Sequence, residues 1–420
     1  MNGYKPLYKL YYSDKNRYGH IYRSRKDSRD CAELPFSIVS GDGGDKFGAF
    51  FMTAPEVSEL CGQIDKVNSL VSGTLSQMHD IGVTGCINHG LSESVFSTLK
   101  IEGIRSTVYD IHDYLNNRKR NERKDSNIGK IKGIIDCCRE SVTAGVEVPY
   151  DVDSLKAVHE KLLKGDRKFA GKLRKCKTRS SVSEKKCESC FYEDCYNFGV
   201  WQYDRLRHRA VPAKDLQKQL VPLFDILKSK DLNPYAAASI AHYLVEYIHP
   251  FYDGNGRLGR FVMSLALLKA GINRITALDF NNDLEKDRNG YYKALEATES
   301  RRNRGDVTPF VLFCLDKMYS CVRRNYNTVA EYLRKERAVV NELSAKYGFG
   351  TASPAALVAV ADVYEVRKSA CELSEYLSMR TDVFHKIIAN AVRAGCPITS
   401  DKQGGRIYYS IDSGIFVSDS

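Results

Sequence analysis

Residues 249–260 read His-Pro-Phe-Tyr-Asp-Gly-Asn-Gly-Arg-Leu-Gly-Arg and separate two apolar runs of helical rhythm, 234–248 and 257–269. A proline and a Gly-Asn-Gly bend between two such runs force the chain into helix, loop and helix. Gly254 and Gly256 open backbone conformations closed to residues with a Cβ, so successive N–H groups can converge on one anion. The helix that starts there adds its own partial positive charge. His249 has an ordinary pKa near neutrality and can take a proton from a hydroxyl. Asp253 is a hard oxygen ligand of the kind Mg²⁺ uses beside a polyphosphate. Arg257 and Arg260, three apart on one helix, share a face. These are the parts phosphate chemistry needs. The plainer alternative, a corner bearing a surface arginine pair, requires their coincidence.

A chain of 420 residues exceeds what one compact core usually spans, so two or three domains are expected. With 43% hydrophobic and 27% charged residues the composition is globular. The N-terminus lacks an apolar secretory core, and runs such as 261–268 are too short to span a bilayer, so a cytoplasmic protein is expected. The net charge of +11 favours a polyanion partner, whether nucleotide, nucleic acid or an acidic protein surface. Thirteen cysteines, an odd number, point to reduced thiols. Cys176, Cys187, Cys190 and Cys195 are either further thiols or, through the Cys-x-x-Cys pair, a structural zinc site.

The first 50 residues, with Tyr4, Tyr8, Tyr11, Tyr12, Tyr18 and Tyr22, read as extended segments packed on the body; a nucleic-acid stacking surface is the sharper alternative. Helices are expected from residue 55 onward, at about 92–115, 128–142 and 151–163. Residues 171–212 break the pattern and contain strands near 199–203. Helices resume at 214–228, 234–248, 257–269, 289–299, 309–323 and 329–346. Past a boundary at 348–354, Ser369 and Thr381 cap two short helices, and 397–411 form a hairpin around Gly404-Gly405. Helix, turn, helix and hairpin is the outline of a winged helix, in which Arg380, His385, Lys386, Arg393 and Arg406 are placed to meet phosphates. Ordinary solvated surface is the alternative.

The 249–260 stretch closely resembles the signature of the Fic family, His-x-Phe-x-(Asp/Glu)-Gly-Asn-Gly-Arg-x-x-Arg, with every specified position filled. The resemblance implies His249 as catalytic base, Asp253 as ligand of Mg²⁺, and Gly254, Asn255 and Gly256 as a phosphate cradle with the Asn255 side chain as an extra donor. Arg257 and Arg260 would meet the β- and γ-phosphates of ATP, and Phe251 would pin the loop to the core. His242 reads as a core histidine. Tyr291-Tyr292 resembles the base side of the family's pocket, and Tyr292 is either an adenine contact or helix core. Many relatives place an asparagine where this chain has Glu299, which leaves base preference open. Thr98-Leu-Lys-Ile-Glu102-Gly103 matches the family's inhibitory motif, in which Glu102 would pair with Arg260 in place of the γ-phosphate. Arg205, Arg207, His208 and Arg209, just after Trp201, either fall where the family carries a β-hairpin flap that aligns a target segment by strand addition or form a solvated basic turn.

The expected fold is therefore mainly α: a Fic helical core with a β-hairpin flap, plus a C-terminal winged-helix α+β domain. Domain bounds are read as 1–117, 118–347 and 348–420. The function implied is an autoinhibited transferase moving AMP from ATP to a Ser, Thr or Tyr hydroxyl of a target protein or of itself. The alternatives are a DNA-binding regulator whose core senses nucleotide, the reverse hydrolysis, or another transferred nucleotide. Partners expected are that target protein, DNA at the winged helix and a second copy of the chain, with no membrane.

Overall fold

The computed structural model describes residues 4–41, 44–101, 103–104, 106–109, 111, 115, 126–143, 147–164, 170–175, 199–202 and 205–411. It is mainly α, with three two-stranded antiparallel sheets among the described residues. The chain divides into two compact units. One comprises 1–65, 94–106 and 123–321; the other comprises 66–93, 107–122 and 322–420.

The first unit is built around a pair of helices, α8 (Pro234–Ile248) and α9 (Asn255–Lys269), which carry the 249–254 loop between them. Asn233 caps α8 by accepting from the Tyr235 and Ala236 N–H groups, and Pro234 fills the first helical position, where no amide donor is needed. Nearly every residue of α8 is buried, so this helix is core on all sides. Around the pair lie α5 (Ser126–Thr143), α6 (Val152–Leu162), α7 (Leu216–Lys228), α10 (Arg274–Lys286) and α11 (Arg288–Thr298), with a hairpin of β3 (Gly199–Gln202) and β4 (Arg205–Arg209). Asp151 and Ser154 form a capping box that starts α6 where its sequence signals it.

The tyrosine-rich N-terminus folds differently from expectation. It forms two helices, α1 (Leu7–Ser13) and α2 (Lys15–Lys26), before the hairpin β1 (Cys31–Val39) and β2 (Lys46–Met52). The rings engage arginines within the unit: Arg302 lies over Tyr11 and Tyr12, and Arg304 over Tyr18 and Tyr22. Asp14 caps α2. These tertiary contacts, which no local periodicity announces, stabilise short helices of weak amphipathicity.

Helix α3 (Pro55–Leu75) begins where expected, but the next helix, α4 (Asp80–Ile101), starts and ends about a dozen residues before the expected 92–115. Helix α10 was not anticipated at all. It buries polar residues among its apolar ones: Ser94 of α4 donates to the Leu278 carbonyl, and Asn281 Nδ2 donates to Ser94 Oγ at 3.1 Å. The two helices expected at 309–323 and 329–346 are one, α12 (Thr308–Tyr347), which runs through Asn325, a buried polar residue.

In the second unit the buried Glu336 of α12 accepts from the His79 backbone N–H (2.9 Å) and from the Tyr364 hydroxyl (2.8 Å), and pairs with His79 Nδ1 at 2.6 Å. Three helices, α13 (Pro354–Val363), α14 (Ala370–Tyr376) and α15 (Thr381–Arg393), precede the hairpin β5 (Ile398–Gln403) and β6 (Arg406–Ile411). Ser369 caps α14 as expected, and Glu372 completes a capping box with it. Thr381 does not cap α15: Arg380 takes the cap position, with no side-chain bond. Gly404 and Gly405 both have positive φ (58° and 77°), as a two-residue turn joining Gln403 to Arg406 requires.

Candidate active site

His249 terminates α8 in the left-handed region (φ 50°, ψ 60°), a strained conformation for a residue with a Cβ. Burial, together with the positive charges of His208 and Arg174, pushes its imidazole down to about 3, so it is neutral across ordinary pH. A neutral ring has a lone pair with which to accept a proton. Immediately downstream, Phe251 is fully buried and stacks on His159, with ring centroids 3.7 Å apart.

The bend after Asp253 depends on one glycine. Gly254 has φ 77°, and a Cβ there would fall 2.6 Å from Leu163 Cδ1. Gly256 is different from expectation: it lies inside α9 and is not among the positive-φ glycines. Asn255 is also corrected. Its Oδ1 accepts from Phe251 N (2.9 Å) and its Nδ2 donates to Phe251 O (2.8 Å), so the buried amide fixes the loop and is not directed at a phosphate. Helix α9 starts with no side-chain cap, leaving the N-terminal amides and the positive end of the helix dipole for an anion.

Asp253 is half exposed; Oδ1 accepts from Gly254 N and Oδ2 pairs with Arg257 at 3.2 Å. Arg257 is buried, and its Nε has no hydrogen-bond partner among the described residues. A half-exposed hard carboxylate beside an under-satisfied buried guanidinium fits Mg²⁺ and polyphosphate together. Among the described residues no three His, Cys, Asp or Glu side chains gather as a closed metal cage.

Arg260 is 1% exposed, and its Nε donates to Thr98 Oγ1 of α4 at 3.0 Å. Thr98 is the first residue of the 98–103 motif, whose end is held by Arg288 through the Ile101 carbonyl (2.6 Å). Glu102 lies outside the described residues. Of the tyrosine pair, Tyr291 points inward and hydrogen-bonds His242 Nε2 at 2.9 Å, while Tyr292 is 37% exposed with Arg288 over its ring. His242 is fully buried, and burial lowers it to about 3, as for a core histidine. Glu299 pairs with His208 at 2.8 Å.

Two residues that complete the loop carry no sequence signal. His159, at the end of α6, accepts from Gly171 N at Nδ1 (3.0 Å) and therefore donates from Nε2 to the Asp253 carbonyl (2.8 Å). Burial lowers its pKa to about 4, which keeps that tautomer neutral. Arg174 donates to three carbonyls: His249 from Nε (2.7 Å), and Val211 (2.6 Å) and Ile248 (3.1 Å) from Nη2. Its backbone N–H meets the Pro250 carbonyl. A cation at a helix C-terminus offsets the dipole and holds His249 in its strained conformation.

Cys176, Cys187, Cys190 and Cys195 lie outside the described residues, as do the side chains of Trp201, Arg205 and Arg207; none of the nine described cysteines forms a disulfide. The expected hairpin is present, with Gly199 opposite Arg209 and Val200 opposite His208. No helix among the described residues is long and apolar enough to cross a membrane.

Residues 149–267, which contain the loop and both its helices, match the Fic/DOC family. The chain is 40% identical over 109 residues to a protein adenylyltransferase Fic of Nematostella vectensis, covering 25% of this chain and 23% of that protein. It is 39% identical over 88 residues to a protein adenylyltransferase Fic of Drosophila yakuba, covering 21% and 16%. The chain thus spans less than a quarter of the length of these relatives. The crystal structure of a Fic family protein from Desulfovibrio desulfuricans G20 superposes with a TM-score of 0.52 at 19% identity, over 86% of this chain and 97% of that one, and shares the fold.

Proposed function

The chain belongs to the Fic/DOC family through residues 149–267, and on that premise we propose that it is an autoinhibited nucleotidyltransferase moving AMP from ATP to a hydroxyl of a target protein. The observation that carries the reading is a neutral, half-buried His249 set directly ahead of an uncapped helix N-terminus. His249 takes the proton of a Ser, Thr or Tyr hydroxyl. That oxygen bonds to the α-phosphorus of ATP while the bond to the bridging oxygen breaks, and pyrophosphate leaves. The backbone amides of Asn255 and Gly256 hold the α- and β-phosphates at the bend made by Gly254, and Arg257 adds its under-satisfied guanidinium. Mg²⁺ held by Asp253 would neutralise charge building on the leaving group. Tyr292 supplies an exposed aromatic face for the base.

Arg260 is the point of regulation. It is buried against Thr98 of the 98–103 motif, a setting suited to Glu102 standing in for the γ-phosphate. A bound ATP would then lie with its α-phosphate out of line, and small misplacements cost large factors in rate. The test is transfer from each labelled nucleoside triphosphate with Mg²⁺: Glu102→Gly should raise label on protein, and His249→Ala should abolish it. No change in Glu102→Gly would remove autoinhibition; no label from any nucleotide would remove the transferase.

A second reading concerns the C-terminal module. The order of helices α13–α15 and the β5–β6 hairpin supports the winged-helix reading, and Lys386 and Arg393 on α15 and Arg406 on β6 are exposed. His385 instead faces Tyr409 at 2.7 Å. A DNA contact here would show as duplex retention that falls steeply with salt and is lost on replacing those three residues by alanine.

A further inference from the structure

His208 stands on β4, two residues after Leu206, and its ring is almost enclosed, with 11% of the side chain exposed. Both ring nitrogens face acceptors. Nδ1 lies 2.8 Å from Glu299 Oε2, at the end of α11, and Nε2 lies 2.8 Å from the Tyr247 carbonyl, two residues before His249. A neutral imidazole has one N–H and can satisfy only one of them; the imidazolium has two and satisfies both. The geometry therefore selects the charged ring.

We propose that His208 is a positioning residue whose imidazolium, bridging Glu299 and the Tyr247 carbonyl, pins the flap strand β4 to the end of the catalytic helix. The proposal rests on the transferase reading above, in which the flap aligns the target segment. It also reassigns Glu299: its carboxylate serves the target-aligning edge, not the nucleotide base.

The electrostatics agree with the hydrogen bonding. Burial alone would lower the His208 pKa, but the Glu299 carboxylate, the Tyr247 carbonyl and the more distant Glu246 outweigh it, and the net shift is upward. The titratable groups facing His208 are Glu299 from α11 and Glu246, Tyr247 and His249 from α8. His208 and His249 are pushed in opposite directions, and the charge on the first helps keep the second unprotonated. Because the folded pKa of His208 is raised, the link is intact below the ordinary histidine pKa and is lost as pH rises through the raised value.

Trp201 is the only tryptophan in the chain and stands on β3 opposite Leu206, so its emission reports on the flap. In the full-length protein, Trp201 emission and iodide quenching should show one transition at a pH above the free-histidine value of about 6.5. His208→Gln should abolish it. Glu299→Gln, nearly isosteric and able to fold if His208→Gln does not, should move the midpoint to lower pH. Absence of the transition in the wild type, or an unmoved midpoint in Glu299→Gln, overturns the proposal. The titration needs no catalysis, so it stands apart from the transferase reading, which fails by itself if no nucleotide labels the protein. Where label is seen, Glu299→Gln should slow transfer while the apparent KM for ATP stays within about twofold. A KM for ATP raised by about tenfold would return Glu299 to the nucleotide site and overturn the reassignment.

Discussion

Replacing Arg174 by methionine should both loosen the protein and stop the chemistry. The side chain makes three charge-assisted bonds to the Val211, Ile248 and His249 carbonyls, each in a class worth about 1.5–3 kcal/mol. They do not add, and desolvation of the guanidinium, which lowers its pKa to about 10, offsets part of them. Leaving a buried carbonyl without its donor costs about 1–3 kcal/mol, so loss of the donor to three of them, less than additive, is on the order of 3–5 kcal/mol. At about 2–4 °C per kcal/mol for a body of this size, melting followed by far-UV circular dichroism should fall by on the order of 10 °C. With the carbonyl anchors gone, His249 is free to leave its left-handed conformation, and displacement of the base by about 1 Å is worth about 100-fold in rate. Arg174→Lys keeps the charge but cannot fork across three carbonyls, so it should recover part of the stability and little of the activity. A methionine variant melting within about 2 °C of wild type with full transfer activity would refute the clamp.

His159→Phe preserves the stack on Phe251 but removes the donor to Asp253, so it should lower transfer well beyond its effect on melting; equal small losses in both would make His159 only a packing residue. Gly254→Ala puts a Cβ at φ 77° and against Leu163, and should destabilise by about 1–3 kcal/mol; an unchanged melting curve contradicts the strained bend. In the second unit, the hydrogen bond that His79 donates to Glu336 outweighs burial and raises the His79 pKa, so this contact stabilises fully below the ordinary histidine pKa and fades as pH rises through the raised value. Unfolding measured across that range should lose this pH dependence in His79→Gln, and an unaltered pH profile would contradict it.

The loop was legible in the sequence because its chemistry is local. Histidine, carboxylate, bend and arginines fall within twelve residues, and the glycine that must adopt a left-handed bend is one of only a few types able to do so. Arg174 and His159 were illegible because each acts on backbone carbonyls, which have no letter in a sequence, across 75 and 94 positions. Helix α10 escaped because Asp279, Asn281, Asn282 and Asp283 interrupt its apolar residues and are buried with them, so the apolar period that marks a helix is diluted by polar positions. The break read near 324–328 came from weak helix formers that tertiary packing overrides around the buried Asn325. Asn255 is subtler: the residue type suits the loop, but its amide turns both ends to Phe251 and not to a ligand, a choice of direction that sequence does not encode.

If His249 directs a hydroxyl onto the α-phosphorus, the position of a label in ATP decides where that label ends. With Glu102→Gly protein and Mg²⁺, label at the α-phosphate should remain on protein, label at the γ-phosphate should appear as pyrophosphate, and both should vanish in the His249→Ala background. Transfer of the γ-label to protein, or α-labelling that survives His249→Ala, would contradict the account.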